Sequence, residues 1–139
     1  MVINLIFYTK NKIIPKKILK EKIEILVKNL FKKDILKKLE LNFVFVDNKL
    51  IRKLKKKFFG QNVTTDVICF KYDKFSADIV ISLPQVKKNA KLYKTTDKEE
   101  LLFVIAHGLL HFKGMNDITK KQKQRMFKVG YNLIKKVLE

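Results

Sequence analysis

Apolar and polar residues alternate along residues 2–8 (VINLIFY), with Ile3, Leu5 and Phe7 on one side, and this period of two predicts a strand. The rhythm then changes. From about Pro15 to Lys33 the apolar residues Ile18, Ile23, Leu26, Val27 and Leu30 recur at helical spacing, lysines fill the other face, and Pro15 suits a first turn. Alternation returns over 39–46, where Leu39, Leu41, Phe43 and Phe45 oppose Glu40, Asn42, Val44 and Val46. Asp47 can accept from the backbone of the following turn. It therefore caps a short helix to about Phe58, with Leu50, Ile51, Leu54 and Phe58 as the buried stripe. Gly60, Gln61 and Asn62 form a loop, and residues 66–71 and 78–83 read as two further strands.

Pro84 opens a helix to about Tyr93, and Thr96 with Glu99 carries the capping-box signature ahead of LLFVIAHGLLHFKG. That segment is apolar on nearly every side, which predicts the central buried helix. Gly108 inside it is about 1 kcal/mol worse than alanine, so a close neighbouring element or room beside a ligand must favour it. A last helix runs from about Thr119 to Leu138 with Met126, Val129, Leu133 and Val137 facing inward. Together these elements predict one α+β domain over residues 1–139, with an about four-stranded mixed sheet packed against about five helices.

Composition narrows the class. With 47% hydrophobic residues the chain can bury a core and is not of the disordered type. No apolar run reaches the roughly 18 residues a membrane span needs. The opening residues lack the basic start of a signal peptide, so none is expected. Cys69 is the single cysteine, which excludes an internal disulfide and predicts a reducing, cytoplasmic setting. Lysine and arginine number 32 against 13 acidic residues, a net charge of +19, with most of the excess in residues 1–60. Such a balance predicts a polyanionic partner, most simply nucleic acid, bound less tightly as salt rises. Only Arg52 and Arg125 are arginines, so phosphate contact is expected rather than bidentate base reading. A lysine bias of the genome would give the same count without any partner.

The chemistry is concentrated in HGLLHFKGMND, residues 107–117. His107 and His111 are four apart and share a helix face, so both can present imidazole nitrogens to one metal ion. Gly114 can take the left-handed conformation that ends the helix, and the returning chain would bring Asp117 round as a third ligand. Three protein ligands leave a coordination position open, as catalytic zinc sites do. The spacing matches the HExxHxxGxxH zinc peptidases, but their glutamate general base is here Gly108. Two alternatives remain: ordinary core histidines at helical spacing, and an Asp117 that only caps the last helix.

Set beside TTDVICF (64–70) and ADIVIS (77–82), this segment resembles the YbeY family, small bacterial zinc proteins regarded as endoribonucleases of ribosomal RNA maturation. Thr65, Asp66 and Val67 match the family's first strand motif, with Cys69 where serine is usual. Asp78 and Ile79 match the second, with Ala77 where glycine is usual. The resemblance covers nearly the whole chain. It implies a zinc-peptidase-like metal helix, one zinc ion on His107, His111 and Asp117, and single-strand-specific cleavage in 16S rRNA 3′-end maturation and ribosome quality control. It implies RNA, the small ribosomal subunit with its proteins or an assembly GTPase as partners, and no membrane.

Two positions depart from the family pattern. Its usual third ligand is histidine preceded by aspartate; this chain reads Asn116-Asp117. Its usual phosphate-engaging arginine, six residues before the threonine, is Phe59 here, which either stacks on a base or packs into the core. Arg52, Lys55, Lys56 and Lys57 on the predicted 47–58 helix are then the candidate RNA-binding residues. No side chain is assigned as catalytic base. Asp66 and Asp78 can either orient the histidines or satisfy backbone donors at strand ends. The rival functions are a non-catalytic zinc protein docking on ribosomal RNA and a metallopeptidase.

Overall fold

The computed structural model describes residues 1–138. Four strands form one mixed sheet: β1 (Val2–Phe7), β2 (Glu40–Val46), β3 (Val67–Lys71) and β4 (Ser76–Ser82), in the order β1-β2-β4-β3. β1, β2 and β4 run parallel, and β3 pairs antiparallel with β4 as an edge strand. Six helices complete the α+β fold: α1 (Lys16–Leu30), α2 (Lys33–Leu36), α3 (Asn48–Phe59), α4 (Leu83–Tyr93), α5 (Asp97–Phe112) and α6 (Lys120–Lys135). The extra element is α2, a single turn too short to show a helical period.

Strand parity decides what faces where. Odd-numbered residues of β1, β2 and β4 (Leu5, Leu41, Phe43, Phe45, Ile79 and Ile81) enter the main core, which α1, α5 and α6 close from one side. Even-numbered residues face the other way, where α3 alone packs, on Val46, Ile68 and Val80 through Ile51. α5 buries eleven of its 16 residues, as its unbroken apolar sequence requires. At roughly 2 kcal/mol per buried large aliphatic or aromatic side chain, this helix anchors the fold, and whatever it carries at its end is rigidly placed. Its Gly108 lies where a Cβ would be 2.7 Å from Ile79 Cγ2 and 3.1 Å from Val67 Cγ2. The close neighbour is therefore the sheet itself.

Several side chains differ from expectation. In α1 the buried stripe starts at Leu19, and Ile18 is exposed, because Leu19 rather than Ile18 lies one turn before Ile23 on the core face. Phe58 is not in the α3 stripe; it packs edge-on against Phe70 of β3 and is 57% exposed. In α6 the deeply buried positions are Met126, Gly130 and Ile134, with Val129 and Leu133 half-buried beside them. Thr96 caps α5 by accepting from Glu99 N, whereas the reciprocal capping box belongs to α6, between Thr119 and Gln122.

Candidate metal centre

α5 ends as its sequence demands. Gly114 adopts φ +98°, Gly114 N donates to His111 O, and Met115 N donates back to Leu110 O, which satisfies the last carbonyls and reverses the chain. Lys71 Nζ donates to Phe112 O at 2.9 Å, a second tether on the same helix end. The returning segment carries Asp117 Oδ2 to 3.5 Å from His107 Nε2 and 3.4 Å from His111 Nε2. All three ligand atoms lie within 4.8 Å of one another. Two ligand atoms each about 2.0–2.1 Å from a tetrahedral zinc stand about 3.3–3.4 Å apart, so the donor set and its spacing suit that ion. The cap of α6 is Thr119, not Asp117, which leaves the Asp117 carboxylate free of that duty.

The three side chains open into a cavity of about 360 Å³ between the end of α5, β3 and the end of α3. His111 titrates below the ordinary histidine value, chiefly because it is buried and further because of the neighbouring His107. Asp117 and the Met115 backbone pull the other way. A neutral imidazole is the form that ligates.

The other predicted residues divide. Lys55 lines the cavity, with Nζ 4.6 Å from the centre of the Phe59 ring; Phe59 also lines it and is 48% exposed, so it is not a core residue. Arg52 instead ties down the following loop, Nε donating to Asn62 Oδ1, while Lys56 and Lys57 are exposed on α3 and do not line the cavity. Asp66 stands in the cavity wall and its Oδ2 accepts from Asn89 Nδ2 at 3.2 Å. Asp78 is on the opposite face of the sheet, where it accepts from Asn42 and Tyr72. Neither carboxylate is spent on backbone donors at its strand end.

Three further residues around the site were not among the candidate site residues of the sequence. Lys71 shares strand parity with Val67 and Cys69, which points all three toward α5, so its place in the cavity was available from alternation. Cys69 lines the same wall, and burial pushes its thiol up to about 11 although Lys71 pulls the other way. Glu100, two turns before His107 on α5, is 2% exposed, and burial together with the charge of Asp66 raises it to about 7. No local pattern signals that last pair, because the two residues meet only in the folded chain.

Fold and site together define a class: small α+β proteins whose central helix ends in a His-His-Asp group beside an open cleft. Among the described residues no helix is long and apolar enough to cross a membrane. The family model described as Endoribonuclease YbeY matches residues 5–138, and the chain belongs to that family. It is 40% identical over 92 residues to Endoribonuclease YbeY of Cytophaga hutchinsonii, covering 63% of this chain and 64% of that protein. With the relative of the same name from Endomicrobium trichonymphae it shares 36% identity over 107 residues, 76% of each chain. The solution structure of TM1509 from Thermotoga maritima superposes with a TM-score of 0.66 at 26% identity, covering 98% of this chain and 89% of that one.

Proposed function

We propose that this protein is a zinc-dependent endoribonuclease cutting single-stranded ribosomal RNA in the cytoplasm, in 16S rRNA 3′-end maturation and ribosome quality control. In this reading residues 1–139 act as one domain, and the small ribosomal subunit, its proteins or an assembly GTPase are the partners. One observation carries the chemistry: His107, His111 and Asp117 converge within 4.8 Å in a cavity edged by Lys55 of α3. Family membership supplies the substrate class.

Such an ion supplies Lewis-acid polarisation of a phosphoryl oxygen and acidifies water. The chain does the rest. His107 and His111, fixed on a rigid helix, set the direction of approach, and Asp117 closes the site from the returning loop. Lys55 balances phosphate charge at the mouth as a point charge, in place of a bidentate arginine. Phe59 offers an exposed ring beside it on which a flanking base can stack. Asp66 is the carboxylate in the wall placed to accept a proton, and Asn89 holds its orientation.

The test is cleavage of a small-subunit RNA fragment by zinc-loaded protein, alongside His107→Ala and a zinc measurement on Asp117→Ala. Expected are cleavage lost in the first variant and metal affinity lowered at least tenfold in the second. Equal cleavage by wild type and His107→Ala would sink the nuclease. RNA binding without cleavage would favour the docking protein instead.

A further inference from the structure

The second face of the sheet is only half covered. Strand register sets two rows across it, Ile6–Val44–Val80–Ile68 and Asn4–Asn42–Asp78–Phe70, and α3 covers the β3 side of those rows. The remainder is an open groove of about 430 Å³, walled by Leu54 and Phe58 of α3 and floored by Val44 and Val80. We propose that this groove is a stacking platform for the unpaired bases of a single-stranded RNA whose backbone passes the metal centre. The proposal rests on the nuclease reading for its substrate class.

Four observations carry it. First, three aromatic rings stand at the rim without core duties: Tyr8 is 70% exposed, Tyr72 66% and Phe58 57%. Stacking on such rings tolerates any base, since every base has a π face. Second, a ladder of polar side chains crosses the floor. Asn4 donates to Asn42 Oδ1, Asn42 donates to Asp78 Oδ1 at 2.9 Å, and Tyr72 OH donates to Asp78 Oδ2 at 2.6 Å. Each carboxylate oxygen keeps a further lone pair, so the floor accepts from the N–H groups on base edges.

Third, the charge is complementary. Lys57 Nζ lies 5.4 Å from the centre of the Phe58 ring, and Lys10 and Lys74 follow Tyr8 and Tyr72 by two positions, so lysines flank a groove whose one charged lining residue is Asp78. Among the described residues no lysine or arginine side chain forms an ion pair with a carboxylate, so this positive surface is free to meet phosphate. Fourth, aromatic rings link the walls of the groove and the metal cavity around the edge strand. Phe70 of β3 packs against Phe58 at 5.2 Å and Phe59 at 6.0 Å between ring centres. Phe58 and Phe70 belong to the groove and Phe59 to the cavity, so a strand crossing from one to the other meets these three rings.

The experiment compares metal-loaded wild type with Tyr8→Ala, Tyr72→Ala and Tyr72→Phe, using a fluorescein-labelled 12-residue single-stranded RNA for affinity and cleavage of that oligomer and of a trinucleotide for rate. Each alanine is expected to weaken 12-mer binding about tenfold. KM should rise with kcat held, and trinucleotide cleavage and metal content should stay unchanged. Tyr72→Phe keeps the ring and should restore binding, and the salt dependence of affinity should match wild type because no charge was removed. Alanine variants that bind the 12-mer as wild type does, while cleavage persists, overturn the platform and spare the nuclease. Ring-dependent binding without any cleavage overturns the nuclease and spares the platform. Absence of RNA binding by wild type overturns both. Unchanged RNA affinity with loss of a ribosomal protein contact overturns the platform in favour of a protein-docking face.

Discussion

Replacing Gly108 by alanine pits two calculable effects against each other. At an exposed helix position the change would stabilise the protein by about 1 kcal/mol through helix propensity. Here the new methyl would stand 2.7 Å from Ile79 Cγ2 and 3.1 Å from Val67 Cγ2. Carbon atoms pack comfortably at about 3.5–4.0 Å, so the overlap approaches an ångström. Both neighbours are β-branched, Ile79 fully buried and Val67 half-buried in the cavity wall, so the closer of the two cannot swing aside. Overpacking of this kind costs about 1–3 kcal/mol, leaving a net loss of about 1 kcal/mol. For a chain of this length that lowers Tm by roughly 3–5 °C. His107 and His111 flank the site of strain on the same helix, so metal affinity should fall as well. Calorimetry on the metal-free protein measures the first effect and competitive metal titration the second. Ile79→Leu moves the branch away from the backbone, so the double variant should recover part of the loss, with a coupling of about 1 kcal/mol. A rise in Tm for the single variant, or strict additivity in the double one, would refute the steric account.

Three other outcomes follow from the same structure. Glu100 binds its proton more tightly in the folded chain, so between its ordinary value of 4.5 and about 7 stability falls as pH rises, and above about 7 the full penalty remains. Glu100→Gln should remove that slope and stabilise the protein above pH 7 by up to about 3 kcal/mol, read by urea unfolding at pH 5 and 8; identical slopes would contradict it. The Cys69 thiol, pushed up to about 11, should react with iodoacetamide at pH 8 at least tenfold more slowly than a free thiol, and equal rates would show it to be ionised. With +19 charges and no lysine or arginine ion pairs to carboxylates among the described residues, moderate sodium chloride should raise Tm by screening repulsion, and a fall would point to ion pairs that matter more.

Much of this was legible because the period of the apolar residues is set by the element itself. Leu41, Phe43 and Phe45 alternate because one face of β2 is core, and α5 is apolar all round because it is buried all round. The metal group was legible for a related reason: His107, His111, Gly114 and Asp117 are close in sequence, so helix geometry and one turn bring them together. What failed was either ambiguous in phase, such as Ile18 against Leu19, or decided by distant segments. Exposure of Phe58 is decided by how α3 lies on β3 and β4, and Glu100 comes under the charge of Asp66 only through tertiary packing. Asp78 was recoverable: with Ile79 and Ile81 in the core, parity alone sends it to the far face.

The compactness of that ligand group in sequence has a thermodynamic side. A ligand bound only by the native state adds stability of about RT ln(1 + [L]/Kd), roughly 4 kcal/mol at a thousandfold excess over Kd. Here the donors His107, His111 and Asp117 span eleven consecutive residues, so the denatured chain keeps them tethered by a short loop whose closure entropy is small. Residual affinity of the denatured ensemble for the ion then subtracts from the native gain. Metal loading should accordingly raise Tm by less than the native Kd implies, in contrast to sites whose ligands are recruited from distant parts of the chain.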